Sequence, residues 1–143
     1  MNGLELQYSD FHDAVLVGIE HVSFERKVVL TFKRVVGDRA RIVLEGVESI
    51  RVRDYICQNI TSRLFDSVQE GFFHTNLLDG HVEWLYTLSD GTCRVNDLTL
   101  TEAKTNVKDG KIRLFVLEPS WGAELVCLCA SIRPEYKLDN QSW

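Results

Sequence analysis

Apolar and polar residues alternate with period two over much of the chain, and that alternation predicts strands. Residues 14–24 are largely apolar and contain Gly18, a position for a bulge or a close backbone approach. A turn near Glu25-Arg26 leads into Val28, Leu30 and Phe32, which alternate with Val29, Thr31 and Lys33. After a second turn at Gly37-Asp38, Ala40, Ile42 and Leu44 alternate with Arg41, Val43 and Glu45. Gly46 ends that run, and Ile50 and Val52 alternate with Arg51 and Arg53 in a fourth strand. Residues 14–53 therefore read as strand-rich.

The period then changes. Ile56, Ile60, Leu64 and Val68 recur every four residues, flanked by Cys57 and Phe65, which predicts an amphipathic helix over 55–70. Asp54 is its expected N-cap and Gly71 its expected terminating glycine. A second strand-rich region is expected over 81–132. Val82, Trp84, Tyr86 and Leu88 share one face of a strand after a turn at Asp79-Gly80, and Ser89-Asp90-Gly91 signals a hairpin into a strand near 92–100. Residues 98–107 fit either a strand or a short helix. Beyond a turn at Asp109-Gly110, residues 111–118 form a strand, and residues 124–132 are apolar on both faces, as a central strand covered on both sides would be. A polar tail runs from Pro134 to the end at 143.

The expected product is an α+β fold in one domain spanning 1–143: a mostly antiparallel, twisted sheet of about eight strands with one main helix packed on a face. Length and composition agree with this. The chain has 143 residues, 45% of them hydrophobic, enough for a core that needs no disulfide or metal staple. No apolar run approaches the roughly 18–20 residues of a membrane-spanning helix. The first 25 residues carry no Lys or Arg, so a secretory signal is not expected and a cytoplasmic setting is. Cys57, Cys93, Cys127 and Cys129 then read as reduced thiols, and the acceptor triplet Asn59-Ile60-Thr61 carries little weight.

Charge sharpens the picture. The chain is −5 in all, but residues 26–53 hold eight basic residues against three acidic ones, while the remainder holds eight against eighteen. One basic region therefore sits on an acidic body. Arg39 with Arg41, and Arg51 with Arg53, are each two apart, so each pair shares a strand face, and adjacent strands would bring all four together. Such a patch suits an acidic protein partner or a phosphate; otherwise it is a solvated face of ordinary ion pairs. Nucleic acid is not the expected target, because the body is acidic and no basic-aromatic motif is present.

Other chemistry is sparse. His12 and Asp13 form a polar cluster that acid–base or ligand-binding chemistry would use, against the reading of a turn that satisfies its own backbone. The four histidines and four cysteines show no metal-ligand spacing, so no metal is expected; Cys127 and Cys129 share a strand face and read as small buried hydrophobes. No nucleophile elbow, phosphate loop or dinucleotide fingerprint occurs, so no cofactor is expected.

The run Phe11-His12-Asp13-Ala14-Val15-Leu16, and the later run Leu44 to Asp54 leading to Gln58-Asn59-Ile60, resemble small uncharacterised bacterial α+β proteins, some of which are similar to immunity proteins of polymorphic toxin systems. The resemblance covers about the first half of the chain. It implies a non-catalytic protein that binds and blocks a partner, and it implies no catalytic residues. Two other expectations stand beside this one: a small enzyme or ligand-binding protein built on His12 and Asp13 with Arg51 or Arg53, and a homodimer formed by an exposed sheet edge.

Overall fold

A computed structural model describes residues 8–137. The period-two segments form strands Val15–Val22 (β1), Lys27–Lys33 (β2), Arg39–Glu45 (β3) and Ser49–Arg53 (β4), then Ile60–Asp66 (β5). Two helices follow, Leu77–Leu85 (α1) and Asp97–Lys108 (α2), and then Arg113–Trp121 (β6), Glu124–Cys129 (β7) and Ser131–Tyr136 (β8). The eight strands form one antiparallel open sheet in the order β4-β7-β6-β5-β1-β2-β3-β8. The fold is α+β, as the patterning predicts. Val28, Leu30 and Phe32 on β2 and Ala40, Ile42 and Leu44 on β3 are all buried, and the register of β1 against β2 slips between Leu16 and Gly18, where the glycine predicted a bulge.

The predicted helix over 55–70 is absent; its centre is β5. The register of β5 against β6 shifts between Ile60 and Thr61 and again between Thr61 and Arg63. Those irregularities put the buried Thr61 and Leu64 three apart instead of two, and this spacing imitates a helix. Asp54 does not start a helix and Gly71 does not end one. Asp54 turns out of β4 with φ 60°, and Gly71, with φ 81°, precedes the one-turn helix Phe72–His74.

The helices lie where strands were predicted. In α1 the buried residues Leu78, Val82 and Leu85 follow helical spacing, and the predicted turn at Asp79-Gly80 is inside it. The apparent strand face of Trp84, Tyr86 and Leu88 is the end of α1, its C-cap and an exposed residue. The turn at Ser89-Asp90-Gly91 does form, with Leu88 N–H donating to Thr92 O at 2.8 Å. The strand expected near 92–100 reduces to one bridge between Thr87 and Cys93. Residues 98–107 are helical within α2, where the Asn96 side chain caps the first turn by accepting from Thr99 N–H at 2.9 Å. The tail begins inside the fold, because Pro134 lies in β8 opposite Ile42. The rest of the predicted polar tail, residues 138–143, lies outside the described residues.

Two hydrophobic clusters sit on opposite faces of β6 and β7. Phe115, Leu117, Leu125, Cys127 and Cys129 join the first, with Phe11, Leu16 and the buried residues of β2 and β3. Leu114, Val116, Val126 and Leu128 join the second, under α1 and α2. Burying one such large side chain contributes roughly 1.5–3 kcal/mol, so this hairpin anchors both clusters.

A corner ties the ends of the strand order together. β3 runs into β4 through Gly46-Val47-Glu48, and β7 into β8 through Ala130. Ala130 N–H donates to Glu45 O at 2.9 Å, and Glu48 N–H donates to Leu128 O at 2.8 Å. Gly46 has φ 64°, and a Cβ there would lie 2.6 Å from the Ala130 Cβ. Gly46→Ala is therefore expected to destabilise by about 3 kcal/mol, the left-handed strain added to the overpacking. Gly37→Ala, at a positive φ with nothing within 4 Å of its Cβ, is expected to cost only about 1 kcal/mol of strain. Urea unfolding of both variants measures the difference.

Candidate functional site

The sheet order separates the four arginines. β4 is at one end, while β3 lies six strands further along, next to β8 at the other end, so Arg51 and Arg53 do not face Arg39 and Arg41 across a ladder. The β4 pair turns to α1. Arg51 Nη1 donates to Trp84 O at 2.8 Å, and its guanidinium lies 4.2 Å from the indole centroid. Arg53 stands 5.6 Å from the same ring and pairs loosely with Glu124 at 3.4 Å and Asp54 at 3.6 Å. These cation–π contacts fasten α1 to the sheet. Trp84 packs against the second cluster, as a core-covering residue.

The β3 pair has other company. Arg39 is opposite Lys33 on β2, and Lys137, just past β8, donates its backbone N–H to Arg39 O at 3.1 Å. The three residues form a row across neighbouring segments on the face turned away from the core. Among the described residues no carboxylate is paired with any of them. Arg41 shares the face one pleat further along, opposite Thr31 and Glu135. Beyond it Arg133 is held by Glu45 at 2.7 Å. Lys33 was legible beforehand, since Lys33 and Arg39 flank the Gly37-Asp38 turn and a hairpin sets them face to face. Lys137 was not, because the tail carries no strand pattern.

His12 and Asp13 lie together, with His12 Nε2 3.6 Å from Asp13 Oδ2, and both side chains are exposed. His12 Nδ1 is 2.8 Å from Ser62 O; with a carbonyl as partner the nitrogen carries the proton and donates. Neither Arg51 nor Arg53 is near, so that version of a catalytic constellation does not assemble. His12 does line a cleft of about 610 Å³ beside β5. The one-turn helix Tyr8–Phe11 and the loop after β5 flank the cleft. Leu64, Phe65, Tyr8 and Phe72 give it apolar walls, and Arg63 stands with its guanidinium 5.0 Å from the Phe65 ring. The helix-like spacing of β5 carries no sign of this cleft.

Behind that wall is a buried ionic knot. Asp66 is fully buried and accepts from the Tyr8 hydroxyl and the Arg113 guanidinium, and from Val68 N–H at 3.2 Å. Burial works against the Arg113 charge, but the hydrogen bonds and attraction of Asp66 outweigh it and raise the guanidinium above its ordinary value. Burial, then the neighbouring Asp66 charge, pushes the Tyr8 phenol far above its ordinary 10.0. The knot holds the one-turn helix, and with it Ser9 and His12, against β5.

Two of the four cysteines and the acceptor triplet are taken up in packing, while Cys57 and Cys93 are exposed free thiols. Cys127 and Cys129 are fully buried, and the hydrogen bond to Cys129, then burial, pushes the Cys127 thiol far up. Asn59 Oδ1 accepts from Ile56 N–H at 2.9 Å and Ala123 N–H at 3.0 Å, while Nδ2 donates to Ile56 O at 2.7 Å. The amide is thus consumed inside the fold. Among the described residues no helix is long and apolar enough to cross a membrane. Set against known protein families, curated proteins and solved structures, the chain matches none, so its surfaces are read from their own chemistry.

Asp66→Asn is expected to destabilise by about 3 kcal/mol, the low end for breaking a buried pair, because Arg113 keeps partial contact with water. Chemical denaturation measures it. The raised Tyr8 value carries a pH signature. The unfolded chain releases this proton first, so the stability that Tyr8 contributes is complete below pH 10.0 and is lost as the pH rises above it. Tyr8→Phe is expected to flatten that alkaline limb, read as urea midpoints at pH 8 and above 10.

Proposed function

We propose that this chain is a non-catalytic protein-binding module, acting in the cytoplasm in the manner of an immunity protein, and that it grips an acidic face of its partner. The observation that carries this reading is the row Lys33, Arg39 and Lys137, for which no paired carboxylate is found among the described residues, on a chain of net charge −5. Cations without paired carboxylates retain their field, whereas ion-paired ones are largely cancelled. A local positive field on a negative body orients an approaching acidic partner and speeds association. Nucleic acid suits the same charges less well, since the surrounding acidic body repels a long polyanion. The edge strand β8 beside the row carries Pro134, which has no N–H to offer an added strand. That favours recognition by side chains over strand addition.

The alternative reading, a ligand-binding protein that uses His12, is favoured by one observation: His12 lines the cleft beside β5.

Capture from source-cell lysate at low salt, followed by binding kinetics with the purified partner, tests the main reading. The association rate is expected to fall steeply between 50 and 500 mM salt, as the Debye length shrinks from about 10 Å near 0.1 M. Lys33→Glu/Arg39→Glu, at exposed positions, is expected to slow association about tenfold or more with its circular dichroism unchanged. Arg53→Glu is expected to leave association nearly unchanged. Equal capture by wild type and the double variant would overturn the cationic row as the docking face.

A further inference from the structure

Building on the reading of the cationic row as a docking face, we propose that the partner element is an acidic amphipathic helix laid across the strands, with carboxylates along one half of its contact stripe and apolar side chains along the other.

The strand register extends the row beyond its cations. Lys33 is opposite Val15 on β1, Val15 is opposite Ile60 on β5, and Ile60 is opposite Trp121 on β6. With Arg39 and Lys137 these residues make one line across six neighbouring segments. Directly opposed side chains share a face of the sheet. Ala14, Leu16, Phe32 and Ala40 lie in the first cluster and Thr61 is fully buried, so their neighbours Val15, Lys33, Arg39 and Ile60 turn outward. Trp121 is 61% exposed. The line is therefore apolar over Trp121, Ile60 and Val15, and cationic over Lys33, Arg39 and Lys137.

Charge selects the sign of the partner. Beside the cationic half, Arg41 is offset by Glu135 opposite it, and Arg34 is taken by Asp38 at 2.5 Å and Asp10 at 3.6 Å. Counted together with the row, these groups leave a positive surplus, which attracts carboxylates to that half.

Spacing selects a helix. Neighbouring strands are about 4.8 Å apart, close to the roughly 5.4 Å between successive turns of a helix. Alternate residues of an extended chain stand about 6.6 Å apart. Over six positions the line is about 24 Å long, the length of a helix of about 16 residues. A helix running along the strands would meet a single member of the line. An extended segment crossing them would leave its backbone N–H and C=O groups against Trp121, Ile60 and Val15, whereas a helix satisfies its own. The same face of β6 and β7 is covered by α1 and α2, so a docked helix adds to an existing helical layer.

Fluorescence anisotropy with two labelled synthetic peptides of about 18 residues tests this on the full chain. One has leucine at positions 1, 4 and 8 and glutamate at 11, 15 and 18, along one helical stripe in a background of alanine and glutamine. The other has the same composition with its leucines and glutamates set two apart. The expected result is saturable 1:1 binding of the striped peptide, at least tenfold tighter than its counterpart, with its helicity rising on binding. Trp121→Ala, at an exposed position, is expected to weaken the striped peptide about tenfold at every salt concentration. Lys33→Glu/Arg39→Glu is expected to weaken it by about tenfold or more at low salt and to flatten its salt dependence. Equal affinity for the two peptides, no saturable binding of the striped one, or an unchanged affinity in Trp121→Ala would overturn the helix, even where Lys33→Glu/Arg39→Glu still slows the captured partner and so upholds the cationic row. Binding to phosphatidylserine vesicles in place of the striped peptide would overturn it in favour of an anionic lipid surface. If Lys33→Glu/Arg39→Glu changes neither peptide binding nor partner capture, the row itself fails.

Discussion

The β6–β7 hairpin is buried on both faces, and the rest of the architecture follows from that. A strand pair with apolar side chains above and below must be covered twice. On one side, the sheet supplies the cover from its own buried residues on β1, β2, β3 and β8. On the other, α1 and α2 close over Leu114, Val116, Val126 and Leu128. Neither helix is long, and their buried residues are few. Their stability comes from this shared surface more than from intrinsic propensity.

The same constraint decides where charge is left over. The helices lie over β6 and β7 next to β4, so the β4 arginines meet the end of α1. Arg51 is spent on the Trp84 carbonyl and ring. Among the described residues no helix packs on the outer face of β2, β3 and β8, and Lys33 and Arg39 are exposed there. Two arginine pairs that look alike in sequence thus take different roles. One is a fastening between helix and sheet, and the other is part of an open surface.

The cleft has a related origin. β1 pairs with β5 at Val15 and Ile60, and the one-turn helix Tyr8–Phe11 packs against β5 beyond it. Asp66 holds that turn in place through Tyr8 and Arg113, an arrangement in which a buried carboxylate is tolerated because every strong partner is supplied locally. A position that reads as the polar side of a helix is the centre of the knot that shapes the cleft wall.

Legibility in the sequence followed the range of the interactions. Where a strand alternates regularly and its partner is the next strand along, as in β2 and β3, the apolar pattern determined which residues are buried, and the turn at Gly37-Asp38 determined that Lys33 faces Arg39. The α+β class was determined in the same way; the predicted central strand over 124–132 is buried on both faces from Leu125 to Cys129, but it breaks at the exposed Ala130 into β7 and β8. Where the ladder is irregular, as in β5, the extra residues turned a period of two into an apparent helix. In α1, an accidental alternation at 82–88 outweighed the helical spacing of Leu78, Val82 and Leu85. What only the tertiary structure decided is non-local: that β4 pairs with β7 and not with β3, that Lys137 completes the cationic row, and that Asp66 meets Arg113 across 47 positions of chain. Periodicity records which side of a strand meets the core, and it carries no record of which strand lies beside it.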